Sequence, residues 1–393
     1  MLSAGDCLVK RVRVLVANHP RLMRELVMAT IADQPDIEVV GEVQNESDLT
    51  DIVEQVQPDV LIIAINKYFY TILGNRDDGR IQVISSDLRL FGNWSDLAAL
   101  PALPDQSSGL EIPLAVLKDL GSDLAADLFL ASEIPPGTGL GSSASVCVNL
   151  LKVLTTYLRC PLSKYDLAER AFNITRLGLK RHVGKQDEYA AAFGGLNYIR
   201  FSSDGTTQVE PLHLDPGVLS ALQSNLMLFF TGAAHHSWDI LAEQEKSTRL
   251  PDGPAVEALH QVKEAAALMK EALLCGNLEH FGHLLDDAWQ AKKRVSHRIS
   301  SPRIDHLYGV ACASGALGGK ITGAGGGGFL LLYSEPECQA GVRSAMQREG
   351  VQEMAFAFDG QGAQVIVNDP FIDHDEHAGT RWTFLPLSSA ATV

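Results

Sequence analysis

The stretch PPGTGLGSSAS (residues 135–145) holds ten small residues and a single leucine. LAADLFLASEI precedes it and reads as a strand, and VCVNLLKVLTTYL follows at once with helical spacing. A strand, a glycine loop and a helix in that order have two readings. Glycine permits both a sharp turn and the close approach of another group to the backbone. Successive N–H groups at residues 139–143 can then converge on one anion. A helix beginning near Ser142 or Ser143 adds a dipole that favours phosphate at that end. A tight strand-to-helix turn with a serine cap accounts for the same residues. Two common nucleotide loops do not fit. A Walker A loop needs a lysine after its glycines, and a dinucleotide fingerprint needs Gly-x-Gly-x-x-Gly after a first strand with an acidic partner downstream.

Composition bounds the rest. The chain has 393 residues, 46% hydrophobic and 20% charged, enough for two or three domains with real cores and unlike a disordered chain. The formal net charge of −16 argues against non-specific nucleic-acid binding, while converging backbone N–H groups can still hold phosphates. Six cysteines, Cys7, Cys147, Cys160, Cys275, Cys312 and Cys338, show no metal-ligand spacing and read as small hydrophobes of a reduced, cytoplasmic protein. No signal-peptide pattern and no apolar run of about 18 residues is present, so no membrane partner is expected. No H-E-x-x-H pattern supports a zinc hydrolase. Self-association into a homo-oligomer stays open.

Residues 12–64 have their own rhythm. VRVLVAN, IEVVGEV and DVLIIAI read as strands, with helical patterns in RLMRELVMATIAD and at 48–57. This alternation resembles the start of a response-regulator receiver domain. The positions matching that family's acidic pair and phosphoacceptor are Asn18, His19 and Ala64, so acyl-phosphate chemistry is not expected. NKYFYTILGNRDDGRIQVISS then predicts a hairpin around a turn at 75–79.

Two more segments carry chemistry. GKQDEYAAAFGGLNYIRF places Asp187 after a turn and before a small-residue helix, where an aspartate is either a cap or a functional carboxylate. GALGGKITGAGGGGFLLLY runs together more glycines than a plain turn needs, at considerable entropic cost. Lys320 within it reads as a phosphate partner or a surface lysine. Lys292, Lys293, Arg294, His297 and Arg298 read mainly as a solvated helix face, and His235 and His236 follow a strand-like LMLFFTG.

Together, Pro-x-x-x-Gly-Leu-Gly-Ser-Ser-Ala-Ser, the Asp187 segment and the second glycine run resemble, in order, the motifs of the GHMP kinase superfamily. The closest branch is that of D-glycero-D-manno-heptose 7-phosphate kinase, and the likeness covers residues 65–360. It implies an α+β, two-domain kinase fold preceded by a partial α/β receiver-like segment (1–64). An ATP-binding domain would occupy 65–212, a C-terminal domain 213–360 and an extension 361–393. It implies that Pro136, Gly137, Gly139, Leu140, Gly141, Ser142, Ser143 and Ala144, with Gly325 and Gly326, bind ATP. It further implies that Ser143 binds Mg²⁺, and that Asp187 serves a sugar or sugar-phosphate acceptor.

The likeness breaks twice. The family's opening basic-glycine motif is absent. Where the branch has Ile-Glu-Arg-Glu, this chain has Ile174, Thr175, Arg176 and Leu177, without the glutamate that helps hold Mg²⁺. A kinase shell retained for ligand sensing or partner binding is therefore the alternative to an enzyme.

Overall fold

Alternating apolar and polar positions make β5 (Ile81–Ser85) a half-buried strand, with Ile81 and Val83 wholly inside. It belongs to a four-stranded sheet in a computed structural model that describes residues 12–17, 37–43, 59–101, 109–121, 124–202, 204–232, 237–248 and 253–366. The other strands are β4 (Phe69–Asn75), β6 (Leu90–Trp94) and β7 (Ala126–Ser132), in the order β4-β7-β5-β6. The expected hairpin of β4 with β5 does not form. β7 lies between them, antiparallel to β4 and parallel to β5, and β5 makes its hairpin with β6 instead. The connecting loop closes over the end of the inserted strand. Arg76 N–H donates to Ala125 O, Ala126 N–H donates to Arg80 O, and the Arg76 guanidinium pairs with Asp127 at 2.6 Å.

Two helices cover this sheet. In α1 (Glu111–Leu120) and α2 (Ser142–Tyr157), apolar residues recur at helical spacing. Cys147, Val148, Leu150, Leu151 and Leu154 of α2 share one core with Leu128 and Leu130 of β7 and with Leu114 and Leu117 of α1. Next come α3 (Lys164–Asn173), a π-helical turn at Ile174–Gly178 and α4 (Gln186–Phe193).

A second sheet joins β3 (Val60–Ile63), β8 (Leu196–Phe201) and β9 (Thr207–Pro211), all antiparallel. β3 is the DVLIIAI run. It pairs with β8, Val60 opposite Ile199 and Ile63 opposite Leu196. The buried Asp59 at its start accepts from Tyr198 Oη at 2.9 Å, with Lys263 Nζ 3.4 Å away. The receiver resemblance thus loses its third strand to another sheet. β1 (Val12–Ala17) and β2 (Ile37–Val43) form the expected parallel pair. The helices expected between these strands, Asn18 and His19 lie outside the described residues.

The C-terminal half begins with α5 (Pro216–Asn225) and β10 (Leu226–Phe230), followed by α6 (Ser237–Ser247), α7 (Pro254–Leu274), α8 (Leu278–Lys293) and α9 (Pro302–Ala313). It ends with β11 (Gly318–Ile321), β12 (Phe329–Tyr333), α10 (Pro336–Arg348) and β13 (Gln352–Glu353), and its sheet order is β11-β12-β10-β13. Trp289, Leu330 and Leu332 sit at the centre of one core, while Ala265, Met269 and Leu284 pack with Leu196 and Tyr198 of β8. The two halves therefore share apolar contacts. No described helix is long and apolar enough to cross a membrane. Residues 367–393, including WTFLPL, lie outside the described part.

Candidate active site

The site is assembled where the two glycine loops meet. Gly141 takes a left-handed conformation (φ 70°) at the start of α2, and no side chain caps the helix. The serine-cap reading is thereby set aside: Ser142 and Ser143 open the helix but do not close its end. The first-turn N–H groups belong to a segment that lines a cavity, with Pro136, Gly137, Gly139, Gly141, Ser142, Ser143 and Ala144 all in its wall. An uncapped helix N-terminus of this kind favours an anion. Leu140 instead packs beside the Ile134, Leu228 and Phe329 cluster.

The second glycine run explains itself by packing. Phe329 N–H donates to Thr138 O at 3.2 Å, binding one loop to the other. A Cβ on Gly139 (φ 78°) would stand 2.6 Å from Thr322 O, so only glycine fits that crossing. Gly323 and Ala324 reach the cavity wall. Gly325 and Gly326, expected to bind ATP, are not in that wall: Gly326 N–H donates to Ile299 O at 2.8 Å, and both glycines pack against residues 298–299. The run is glycine-rich mainly because backbone meets backbone there.

Asp187 sits in the first turn of α4. Its carboxylate lies beside Gly141, where a Cβ on that glycine would be 3.6 Å from Asp187 Cγ. Gln186 Nε2 donates to Asp187 Oδ1 at 3.1 Å. Burial raises the Asp187 pKa, opposed by the Gln186 hydrogen bond and by the charges of Lys320 and Lys292. Burial beside Lys320 pushes Lys292 down to about 8, with Asp187 working the other way, and burial lowers Lys320 also. Of the basic cluster at 292–298, only Lys292 lines the cavity. His235 and His236 lie outside the described residues.

The cavity has a volume of about 1180 Å³. Leu88, Leu110, Ile112 and Pro113 supply apolar wall from the first half, and Trp238, Leu241 and His260 supply wall from α6 and α7. Sequence reasoning missed three further groups. Arg181 is buried, its guanidinium 4.4 Å over the Trp238 ring and 3.9 Å from Glu111 Oε2. His182 Nδ1 lies 2.5 Å from Glu245 Oε2. Glu188 is 2% exposed and lines the cavity, and its Oε2 has no hydrogen-bond partner. Burial and the neighbouring Asp187 push its pKa up to about 8. Glu188 shares a buried helical face with Ala192, four residues on, which its glutamate identity gives no sign of.

The altered Ile174–Leu177 segment is the π-helical turn. Thr175 is buried, lines the cavity and donates to Ala171 O at 3.0 Å. Leu177 is 62% exposed and is not part of the cavity wall, so a carboxylate at 177 would face solvent. Among the described residues no group of three or more His, Cys, Asp or Glu could hold a metal unaided. Mg²⁺ in nucleotide sites needs only one or two carboxylates, completed by substrate phosphates and water. The unpartnered Glu188 oxygen, Asp187 and the Ser143 hydroxyl suit that chemistry.

Family models describe the same two halves. GHMP kinases N terminal domain matches residues 111–195, and GHMP kinases C terminal matches 265–352. D-glycero-alpha-D-manno-heptose 7-phosphate kinase from Campylobacter jejuni is 31% identical over 306 residues, covering 78% of this chain and 90% of that one. The crystal structure of a D-glycero-D-manno-heptose 1-phosphate kinase from Bacteriodes thetaiotaomicron superposes with a TM-score of 0.62 at 27% identity, over 77% of this chain and 89% of that chain. Lactococcus lactis galactokinase, at 18% identity and a TM-score of 0.62 over 79% of this chain and 90% of that chain, shares the fold. With both halves matched and a relative this similar along nine-tenths of its own length, the chain belongs to the GHMP kinase family.

Proposed function

We propose that the protein is an ATP-dependent kinase that transfers the γ-phosphoryl group to a hydroxyl of a sugar phosphate, with a heptose 7-phosphate the first acceptor to try. The observation that carries this reading is the Asp187 carboxylate beside Gly141, at the open N-terminus of α2. The relatives named for heptose phosphates support the acceptor class.

In this mechanism the N–H groups at 139–144 hold the nucleotide phosphates. The acceptor hydroxyl meets Asp187, which orients it and takes its proton as the phosphoryl group moves in line. The raised pKa of Asp187 makes its carboxylate a better proton acceptor than an exposed aspartate. Lys292 and Lys320 offset the charge that gathers on the transferred group. Arg181 and Lys292 give the cavity cations suited to a substrate phosphate. Ser143 and Asp187 would help hold Mg²⁺, which supplies charge neutralisation on the phosphates when bound.

Purified protein with Mg-ATP and a panel of sugars and sugar phosphates, read by ADP release and product mass, tests this. Turnover is expected, and Asp187→Asn should lower it about 10²–10⁴-fold in a folded protein. The absence of a carboxylate at Thr175 favours a second reading, a kinase shell that binds ligand without turnover. Saturable ATP binding with no product from any acceptor would establish that one.

A further inference from the structure

Glu188 stands apart from every other carboxylate in the cavity. It is 2% exposed, yet Oε2 has no partner. Burying an unpaired carboxylate is costly, and such groups are expected to be matched by a counter-charge. The neighbouring cations have other partners. Arg181 faces Glu111 and Trp238, and Lys185 Nζ is 2.9 Å from Glu169 Oε1. What remains on this carboxylate's open side is the cavity itself.

Its position is equally specific. Cys147 lies one helical turn after Ser143 on α2, so the two share a stripe. The Cys147 thiol and the Thr175 hydroxyl both donate to Ala171 O, at 3.7 Å and 3.0 Å. Thr175 therefore lies against that turn of α2, and Ser143, Thr175 and Glu188 line the same cavity. Asp187, one residue earlier, meets that helix at Gly141. α4, which carries both carboxylates, packs against α2.

We propose that Glu188 is a protein ligand for the divalent cation that accompanies the nucleotide, supplying from α4 the carboxylate that Thr175 does not provide. This rests on the kinase reading above. No third carboxylate joins the pair among the described residues, so nucleotide phosphates and water would complete the coordination, and the cation binds tightly only with nucleotide.

The test uses the full chain, Mn²⁺ as the probe and a non-hydrolysable ATP analogue. Bound Mn²⁺ is read by electron paramagnetic resonance, and analogue binding in EDTA is read separately by calorimetry. Glu188→Gln, nearly isosteric, should weaken Mn²⁺ about tenfold or more, with metal-free analogue binding unchanged. Unchanged Mn²⁺ affinity in Glu188→Gln, with analogue still bound, overturns the assignment and leaves the kinase reading standing. A wild-type protein that binds no analogue under either condition overturns both. Should Glu188→Gln fail to fold, Glu188→Asp, which keeps the charge but draws the oxygens back by one methylene, should weaken Mn²⁺ several-fold; no change overturns the proposal.

Discussion

Gly139 and Gly141 both line the cavity and both hold left-handed backbone, but their surroundings differ. An alanine at either position carries a backbone penalty of about 1–2 kcal/mol. At Gly141 the added methyl stands 3.5 Å from Asp187 Cβ, an ordinary contact, so that penalty is the whole cost to the fold. At Gly139 the methyl stands 2.6 Å from Thr322 O and 3.0 Å from Thr322 Oγ1. The second loop must shift, and overpacking of this kind adds about 1–3 kcal/mol. Gly139→Ala should therefore cost about 2–5 kcal/mol in total and Gly141→Ala about 1–2 kcal/mol. Their effect on ligand runs the other way in purity. Gly141→Ala leaves the fold nearly intact while placing a methyl between the phosphate cradle and Asp187. It should weaken ATP about tenfold or more, the equivalent of about 1.4 kcal/mol. Thermal unfolding midpoints, taken without ligand and with saturating Mg-ATP, separate the two effects, because ATP raises the midpoint only of a protein that binds it. Equal midpoint losses in the two variants, or a full ATP-induced rise in Gly141→Ala, would refute the division between a loop crossing and an anion cradle.

Three further outcomes follow from buried groups. The folded pKa of Glu188, about 8, lies above its ordinary 4.5, so the folded state takes up a proton. Metal-free stability should therefore be lost as pH rises from about 4.5 through about 8, and Glu188→Gln should flatten that slope in denaturant titrations at pH 5, 7 and 9 in EDTA. Burial raises the Cys147 thiol pKa far above normal, so native protein treated with iodoacetamide at pH 8 should be modified at the exposed Cys160, Cys275 and Cys338 but not at Cys147, as peptide mass mapping would show. Asp59→Ala strips a buried acceptor from the Tyr198 hydroxyl and should destabilise the protein by about 1–3 kcal/mol, read as a lowered unfolding midpoint; an unchanged midpoint would mean that this hydrogen bond contributes little to stability.

The phosphate loop and Asp187 were legible because their signals are local. Three alternating glycines before a helix, and an aspartate in a first helical turn, are properties of consecutive residues. The cavity's other charges were not legible in the same way. Lys292 reads as one member of a basic helix end, and only packing separates it from Arg294, which remains exposed. Glu188 looks like an ordinary helix glutamate until the face it shares with Ala192 turns out to be the buried one. Leu177 shows the converse. Its place in the motif invites a rescuing carboxylate, but the π-helical turn carries its side chain outward.

Strand identity was readable and strand partnership was not, and the difference matters for Asp187. The runs at 60–63, 69–75 and 81–85 are strands as their periodicity predicts, but which strand lies beside which depends on residues far along the chain. The sharpest case is the segment after β3. Ala64 N–H donates to Gly195 O at 3.0 Å, Gly195 N–H donates to Asp359 O at 2.7 Å, and Asp359 N–H donates to Ala64 O at 2.9 Å. Three distant stretches of chain thus close a ring of backbone hydrogen bonds. Gly194 and Gly195 follow directly on α4, and Asn197 Nδ2 donates to Gly194 O at 2.7 Å, so this ring fixes the C-terminal end of the helix whose first turn carries Asp187 and Glu188. At the other end the helix rests against Gly141. A carboxylate held at both ends of a short helix keeps its place against the phosphate loop without depending on loop stiffness. The apolar run at 60–63 is an edge strand of the kinase fold, leading into the junction that anchors α4.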